Sequence, residues 1–270
     1  MTVEGAAARV RGKRPPQGDP VVDRALGLLA AFDPAHRRMA LSELSRRAGV
    51  PLSTARRLAE RLVAWGALER GADGSYAVGL RLLEVASLAP RGHGLREVAM
   101  PYMEDLYEAT RHHVLLAVRD GDQALLVERR SGRAAVPVEY RVGGRLPLHM
   151  TGVGRVLLAF APVELQERVL AGDVDAQSAD PPPDPVALRR TLAEVRRTGV
   201  GVINRRRPAP VVSVAAPVRG EDDEVLGALS IVVPAGGADP RTLEPAVRAA
   251  ARAVSRGLGA PTAMSVRREP

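Results

Sequence analysis

Four residues between positions 54 and 61 combine side-chain types and spacings suited to contacts with nucleic acid: Thr54, Arg56, Arg57 and Arg61. In a helix, Arg57 and Arg61 are one turn apart and Thr54 lies one turn earlier, so the three share a face. Arginine pairs with phosphates and with the acceptor atoms of guanine, and threonine bonds phosphates or base edges. The pattern predicts a DNA-contacting helix face, with at least one base contact. The alternative is a solvated face on which Arg56 and Glu60 form an i,i+4 pair.

The segments around this face predict a winged helix-turn-helix. An apolar spacing of i, i+3 and i+7 from Leu41 indicates a first helix, and Gly49-Val50-Pro51 ends it. A second helix follows at once, and Ser53 or Thr54 can cap its free amides. Its apolar stripe consists of Ala55, Leu58, Ala59 and Leu62. The outward face therefore holds the candidate DNA contacts Ser53, Thr54, Arg56, Arg57 and Arg61.

Two short strands, 67–70 and 75–78, flank the turn signal Gly71-Ala72-Asp73-Gly74 and predict the wing. Arg70 on this wing is a candidate phosphate contact. Upstream, Asp19-Pro20 predicts a further helix with Asp19 as cap and Pro20 at the first helical position. Ala40 occupies the capping position before Leu41, where Ala typically costs about 1 kcal/mol relative to Ser or Thr.

Charge and composition agree with this assignment. Of the net charge of +8, residues 1–80 carry +5 and the remaining 190 residues carry +3. Aromatic residues make up only 3% of the chain, which disfavours a surface that stacks bases. Cysteine is absent, which excludes disulfides, thiolate zinc sites and cysteine nucleophiles. No apolar run is long enough for a membrane span and no signal core occurs, so we expect a soluble, cytoplasmic protein.

The rest of the chain predicts helices, then strands, then helices, strands and a closing helix. Helices are predicted at 80–89, from about 95 with Pro101 as a kink or as a start near Ala99, and at 153–160, 163–169, 186–197 and 243–258. Strands are predicted at 114–118, 124–127, 136–142, 200–204, 211–218 and 225–233, with a surface loop at 173–184. This order predicts an α+β domain with a mostly antiparallel sheet.

Three other patterns have weak chemical interpretations. Gly152-Val153-Gly154-Arg155 precedes a helix but lacks the residues of a phosphate-binding loop, so we expect a tight turn at the border of a pocket. His112 and His113 point to opposite faces of a strand and have no carboxylate-histidine arrangement, which disfavours a metal site. Ser213 and Ser230 lack a nucleophile elbow and an evident triad. No catalytic residue, metal or cofactor is expected.

The sequence resembles the IclR family of bacterial transcriptional regulators from about Val21 to Pro261. The resemblance includes LSELSRRAGVPLSTARRL with its wing, YAVGLRLLEVASLA, RLPLHMTGVGRVLLAF, EVRRTGVGVIN, VSVAAPV, LGALSIVVP and AARAVSRGLGA, in this order. It implies an N-terminal winged helix-turn-helix, a C-terminal GAF-like effector domain, and a homodimer or tetramer on a palindromic or repeated operator.

The resemblance also implies a small-molecule effector, often a carboxylate or aromatic acid, in the C-terminal domain. The matching positions are Leu146, Met150, Thr151, Gly152, Asn204, Ser213, Ser230 and Val232. This chain departs from the usual pattern where many members have paired acidic residues (here 203–206), a Cys (here Ser213) and a second Ser (here Val232). Recognition through an acidic residue is therefore disfavoured, whereas the amides of 151–154 and the hydroxyls of Ser213 and Ser230 suit an anionic group.

These observations predict a ligand-responsive transcription regulator that is not an enzyme. The expected organisation is a disordered basic tail at 1–18, whose cations can reach DNA as an arm; a DNA-binding domain at 19–79; a helical linker and dimer contact at 80–94; an effector domain at 95–260; and a loose tail at 261–270. An enzymatic C-terminal domain, which a turnover assay would reveal, is one alternative. A protein-binding adaptor is another, and it would lack the steep salt dependence of DNA binding.

Overall fold

The computed structural model describes residues 20–89, 93–132, 138, 140–173, 184–206, 209–237 and 239–261. Within this range the chain forms two compact units that meet in sequence between Leu88 and Ala89. The predicted tail 1–18, the cap Asp19, most of the predicted loop 173–184 and residues 262–270 lie outside the described residues.

The N-terminal unit is a winged helix-turn-helix, as predicted. It comprises α1 (Val21–Ala30), β1 (Arg38–Met39), α2 (Leu41–Arg47), α3 (Leu52–Trp65), β2 (Leu68–Arg70), β3 (Tyr76–Val78) and α4 (Arg81–Ser87). The strands form an antiparallel sheet in the order β1-β3-β2. Leu28, Leu44, Ala55, Leu58 and Tyr76 are buried together in its core. The strand β1 was not predicted, because a two-residue strand has no measurable alternation.

The helix starts differ in detail from the predictions. Pro20 is the N-cap of α1 and not its first helical residue, and Pro51 is the N-cap of α3. Because α3 begins at Leu52, Ser53 and Thr54 lie inside its first turn and neither makes a side-chain cap bond, so that prediction is wrong. Ala40 is the N-cap of α2, without a side-chain cap bond.

The C-terminal unit is a six-stranded antiparallel sheet with helices on both faces. Its elements are α5 (His93–Thr110), β4 (His113–Asp120), β5 (Gln123–Arg130), β6 (Arg145–Pro147), α6 (Gly152–Ala159), α7 (Val163–Ala171), α8 (Pro185–Thr198), β7 (Gly201–Arg205), β8 (Val211–Arg219), β9 (Val225–Pro234) and α9 (Pro240–Gly257). The strand order is β6-β5-β4-β9-β8-β7. The predicted α+β class and antiparallel sheet are confirmed.

The sheet separates two hydrophobic cores. On one face α6, α7 and α8 cover a core that includes Leu115 and Val232, and on the other α5 and α9 cover a core that includes Val114 and Ile231. Consecutive residues of one strand therefore enter different cores, as the two-residue period of a strand requires. Strands buried on both faces read as continuous apolar runs, which is the pattern of β4, β8 and β9.

Two predictions for this unit need correction. Of the two alternatives for Pro101, a kink or a helix start near Ala99, the second is wrong, because α5 runs from His93 through Pro101. Proline removes one intrahelical hydrogen bond, and the burial of Leu95, Ala99, Met103 and Leu106 against the sheet offsets that loss.

The predicted strand 136–142 is not present at its described positions, Val138 and 140–142. The third strand of the hairpin is instead β6, which pairs with β5 at Leu125, Ala124 and Gln123. Gly143 has a φ of +76° and turns the chain, and Gly143 N–H donates to the carbonyl of Leu126, so pairing begins only after this turn. Residues 133–137 and 139 lie outside the described residues.

Candidate nucleic-acid interface and ligand pocket

The helix α3 buries one face and exposes the predicted DNA-contacting residues on the other. Ala55, Leu58 and Ala59 are buried in the core. Exposed are Ser53, Arg56, Arg57 and Arg61, and Thr54 is half-buried at the border. The structure therefore brings the five predicted residues of this helix to one accessible surface.

The arginines of this surface differ in their partners. Arg56 Nε donates to Glu60 Oε1 at 3.2 Å, which is the i,i+4 pair considered from the sequence. Within the described chain Arg57 and Arg61 have no ion-pair partner. Their charge is not neutralised by the protein, and they are the residues of α3 most suited to an anionic ligand such as the DNA backbone.

The turn between α2 and α3 is fixed by local hydrogen bonds. Ser45 is buried and its Oγ donates to the carbonyl of Val50 at 2.6 Å. Gly49 adopts a φ of +63°, a conformation that costs glycine little. Ser45, which sets the path of the chain into α3, was not identified from the sequence, because no local pattern indicates its bond.

The wing presents Arg70 beside an ordered turn. Arg70 is exposed, and its guanidinium lies 5.8 Å from the ring centroid of Tyr76. In the turn, Asp73 Oδ1 accepts hydrogen bonds from Ser75 Oγ and from Ser75 N–H. These bonds lower the pKa of Asp73, with the side-chain bond as the largest cause, so the turn stays bonded at neutral pH.

A narrow cleft lies between the sheet and the N-terminus of α6 in the C-terminal unit. The cleft has a cavity volume of about 10 Å³, which is room for about one water molecule. A larger guest therefore requires movement of a lining side chain. Its lining residues are Leu115, Tyr140, Leu146, Met150, Thr151, Gly152, Val153, Ile203, Arg205, Val211, Ser213, Ser230 and Val232. Seven of the eight predicted effector contacts are among them.

The predicted contact that does not line the cleft is Asn204. It lies on β7 between Ile203 and Arg205, and it is exposed while both neighbours face the cleft. The cause is the alternation of side chains along a strand. The family pattern indicates position 204, whereas the alternation along 203–205 brings Ile203 and Arg205 to the cleft, and Arg205 was not among the predicted contacts.

The first turn of α6 packs too closely for side chains at its glycines, Gly152 and Gly154. Thr151 Oγ1 accepts from Gly154 N–H at 3.0 Å and donates to the carbonyl of Pro147 at 3.1 Å. A Cβ on Gly152 would lie 2.2 Å from Ser213 Oγ. Gly152 therefore allows α6 to approach β8 at the border of the cleft, and the residues expected to form a tight turn form the first turn of α6 instead.

The charged groups at the cleft are cationic. The lining residues include no Asp or Glu, and the guanidinium of Arg205 lies 4.8 Å from the ring centroid of Tyr140. Arg129 donates to the backbone carbonyl of Tyr140, and burial lowers the pKa of Arg129. The cleft can hold an anion without a repelling carboxylate in its wall.

Two polar side chains of the cleft wall have atoms without a hydrogen-bond partner among the described residues. These atoms are Nε and Nη2 of Arg205 and Oγ of Ser230, all buried. Buried donors are paired in the great majority of cases, so these groups are available for a guest.

The described residues contain no group of three His, Asp or Glu side chains that could hold a metal. His113 is buried, and its Nδ1 is 2.7 Å from Ser131 Oγ, which accounts for it as a hydrogen-bonded core residue. None of the described helices has the length and apolar character needed to cross a membrane.

Two known protein families match most of this chain. The family described as "Bacterial transcriptional regulator IclR C-terminal" matches residues 89–256, and the IclR helix-turn-helix domain matches residues 21–72. The chain belongs to the IclR family. It is a DNA-binding transcriptional regulator of a family that is not enzymatic, which confirms the predicted family and the prediction that the protein is not an enzyme.

Relatives of this IclR-family regulator match it along most of their length. The glycerol operon regulatory protein of Streptomyces griseus is 30% identical over 245 residues, which cover 88% of this chain and 96% of that protein. The regulator XynR of Escherichia coli is 26% identical over 245 residues, with 89% and 97% covered. An IclR homologue from Microbacterium hydrocarbonoxydans, crystallised in complex with 4-hydroxybenzoate, is 35% identical, with a TM-score of 0.81 and with 88% and 99% covered.

Proposed function

We propose that this IclR-family protein is a ligand-responsive regulator that binds a palindromic or repeated operator as a homo-oligomer. In this proposal residues 19–79 bind DNA, 80–94 form the linker and 95–260 bind a small-molecule effector. The observation that carries the DNA-binding part is the pair of exposed arginines without ion-pair partners in the described chain, Arg57 and Arg61 of α3.

The spacing of these arginines suits the major groove. A helix rises 1.5 Å per residue, so Arg57 and Arg61 are about 6 Å apart along α3. Successive base pairs are separated by about 3.4 Å, so the two guanidinium groups can address positions about two steps apart. Thr54 at the start of the same face and Arg70 on the wing add phosphate contacts that fix the orientation of α3.

The exposed apolar surface of α4 supports self-association. No residue of α4 is buried; Leu83 is 68% exposed, and Leu88, the C-cap residue, is 80% exposed. Such apolar residues on one short helix mark a contact site, for which we propose a second copy of this chain. Sedimentation of the full chain tests this: Leu83→Asp lowers the mass to that of a monomer, and an unchanged mass contradicts the proposed contact.

The cleft under α6 is the proposed effector site. Its wall is apolar with a few convergent polar groups and a cationic end, which suits a small anionic molecule with an apolar body. The homologue from Microbacterium hydrocarbonoxydans has 4-hydroxybenzoate bound, and its identity of 35% supports an aromatic acid as the class. The proposed contacts are those predicted from the sequence, without Asn204.

The effector acts by binding one arrangement of the oligomer more tightly than another. That difference shifts the population with the operator-competent spacing of the two α3 helices. Each tenfold change in operator affinity requires about 1.4 kcal/mol of differential effector binding.

Footprinting of genomic fragments bound by the purified full chain tests the function as a whole. We expect protected half-sites separated by whole helical turns, and affinity that falls steeply with salt. Addition of 4-hydroxybenzoate is expected to change the affinity for that operator and to raise the melting temperature. Binding without salt dependence or sequence preference would contradict the DNA-binding proposal, and an operator affinity insensitive to aromatic acids would contradict the effector class.

A further inference from the structure

The edge strand β7 places one arginine in an unusual electrostatic situation. Arg205 faces the cleft, its guanidinium stacks on Tyr140, and its Nε and Nη2 atoms are buried without a hydrogen-bond partner in the described part of the chain. A guanidinium cannot relieve this by losing its proton, because arginine stays charged in proteins. A ligand that accepts two hydrogen bonds would satisfy both atoms.

The two unsatisfied atoms form one edge of the guanidinium, and this chain shows what that edge binds elsewhere. Arg46 Nε and Nη2 donate to the two carboxylate oxygens of Glu43 at 3.0 and 2.6 Å. Arg197 uses the same two atoms toward Glu194, at 3.2 and 2.5 Å. The free edge of Arg205 therefore has the geometry of a carboxylate receptor.

We propose that Arg205 binds the carboxylate of the effector side-on through Nε and Nη2 and is the residue that selects an acid over its neutral analogue. This inference rests on the proposed function, in which the cleft is the effector site. Tyr140 holds the guanidinium plane by stacking, and the cleft lining contains no Asp or Glu that would compete with the ligand for the charge of Arg205.

A second group fixes the other end of the ligand. Ser230 is 1% exposed, lines the same cleft, and its Oγ has no partner among the described residues. Arg205 pairs with Val211 of β8, whereas Ser230 pairs with Ala215 of that strand. Four residues of a strand span about 13 Å between backbone positions, and the long arginine side chain covers part of this span, so we assign Arg205 and Ser230 to different ends of one ligand.

Most residues that line the cleft between these ends are apolar, among them Leu115, Val211, Val232 and Leu146, and the hydroxyl-bearing Ser213 lies on β8 between the two ends. The ligand class that satisfies the whole cleft is a monocarboxylate with an apolar body and a hydroxyl at the far end, the carboxylate on Arg205 and the hydroxyl on Ser230.

Calorimetric titration of the full chain with three ligands distinguishes the contribution of Arg205 from that of Ser230. The ligands are 4-hydroxybenzoate, its neutral amide 4-hydroxybenzamide, and benzoate, which lacks the hydroxyl. We expect Arg205→Gln to weaken binding of both acids about 10- to 100-fold, the loss of charge-assisted hydrogen bonds, and to leave the amide unchanged. Ser230→Ala is expected to weaken the binding of 4-hydroxybenzoate and to leave the binding of benzoate unchanged.

The matched control is Arg190→Gln, at an exposed arginine of α8 outside the cleft, which is expected to change no affinity. Arg205→Lys keeps the charge without the two-donor edge, so it is expected to restore only part of the preference for acids. If Arg205→Gln does not fold, Arg205→Lys tests the same proposal.

Equal weakening of the acids and the amide in both Arg205 variants would show that the arginine only supports the fold, and unchanged acid binding would remove it from the site. Either result overturns the inference and leaves the proposed function standing. Failure of every carboxylate to bind the unaltered chain would overturn the effector class itself, while operator binding is judged separately.

Discussion

Replacement of Arg57 by Ala is the sharpest perturbation of the proposed DNA surface. The side chain is exposed on α3 and has no ion-pair partner in the described chain, so its removal costs the fold little. Surface substitutions of this kind stay within about 0.5 kcal/mol of the original stability. Any change in operator affinity is then a change in the interaction with DNA.

The expected magnitude follows from the interactions with DNA that the substitution removes. One arginine bound to a base or phosphate contributes about 1–3 kcal/mol, which corresponds to about 5- to 150-fold in affinity. If both α3 helices of a dimer engage half-sites, the effect doubles to about 2–6 kcal/mol. If Arg57 binds a phosphate, the slope of log affinity against log salt also decreases by about one for each half-site.

The assay is a gel-shift titration of the footprinted operator at several salt concentrations, with thermal unfolding measured on the same samples. Arg190→Ala, at an exposed arginine of α8, is the charge-matched control. Arg56→Ala is expected to have a smaller effect, because Glu60 already pairs with Arg56. Unchanged affinity of both Arg57→Ala and Arg61→Ala, with the fold intact, would refute the assignment of this face.

Three further predictions concern stability. Gly152→Ala brings a Cβ to 2.2 Å from Ser213 Oγ, so we expect chemical denaturation to show a loss of about 1–3 kcal/mol in the free energy of unfolding. Adding Ser213→Ala is expected to recover part of this loss. Full stability of the single variant would contradict the close packing. Leu44→Ala empties a fully buried position and is expected to lower the free energy of unfolding of the N-terminal unit by about 2–5 kcal/mol; a change below about 1 kcal/mol would contradict its role in the core. The hydrogen bond from His36 lowers the pKa of Asp33 below its usual value. The stabilisation contributed by the ionised Asp33 is therefore present above the unfolded-state pKa and is lost as the pH falls through the folded-state pKa. The difference in melting temperature between the unaltered chain and Asp33→Asn should therefore shrink in acid, and a difference that grows there would contradict the prediction.

The DNA-binding half could be predicted closely because its signals are local. The spacing of Ala55, Leu58 and Ala59 fixes which side of α3 is buried, and the arginines follow on the opposite side. The start of α3 was misplaced because proline and serine both favour the first positions of a helix, and only the backbone shows which of them is the cap.

The ligand pocket was predicted less completely because it depends on tertiary pairing. Leu146, Thr151 and Ser213 were identified through the family pattern, but Tyr140 lies in a segment that was predicted as a strand and is not one at its described positions, so its place in the cleft was not predicted. Arg205 could have been found by counting two residues along β7 from Ile203. A helix start near Ala99 does not occur, because burial of α5 against the sheet outweighs the one hydrogen bond that Pro101 removes.

The division of the C-terminal sheet into two cores has a consequence for how this regulator can evolve. Leu115 and Val114 are neighbours in β4, yet a substitution at the first alters the cleft and one at the second alters the packing of α5 and α9. Mutations that change ligand preference therefore need not disturb the opposite core. In such a chain the residues of the cleft can be replaced while the core under α5 and α9 is kept, so the stability cost of the replacement falls on one core only.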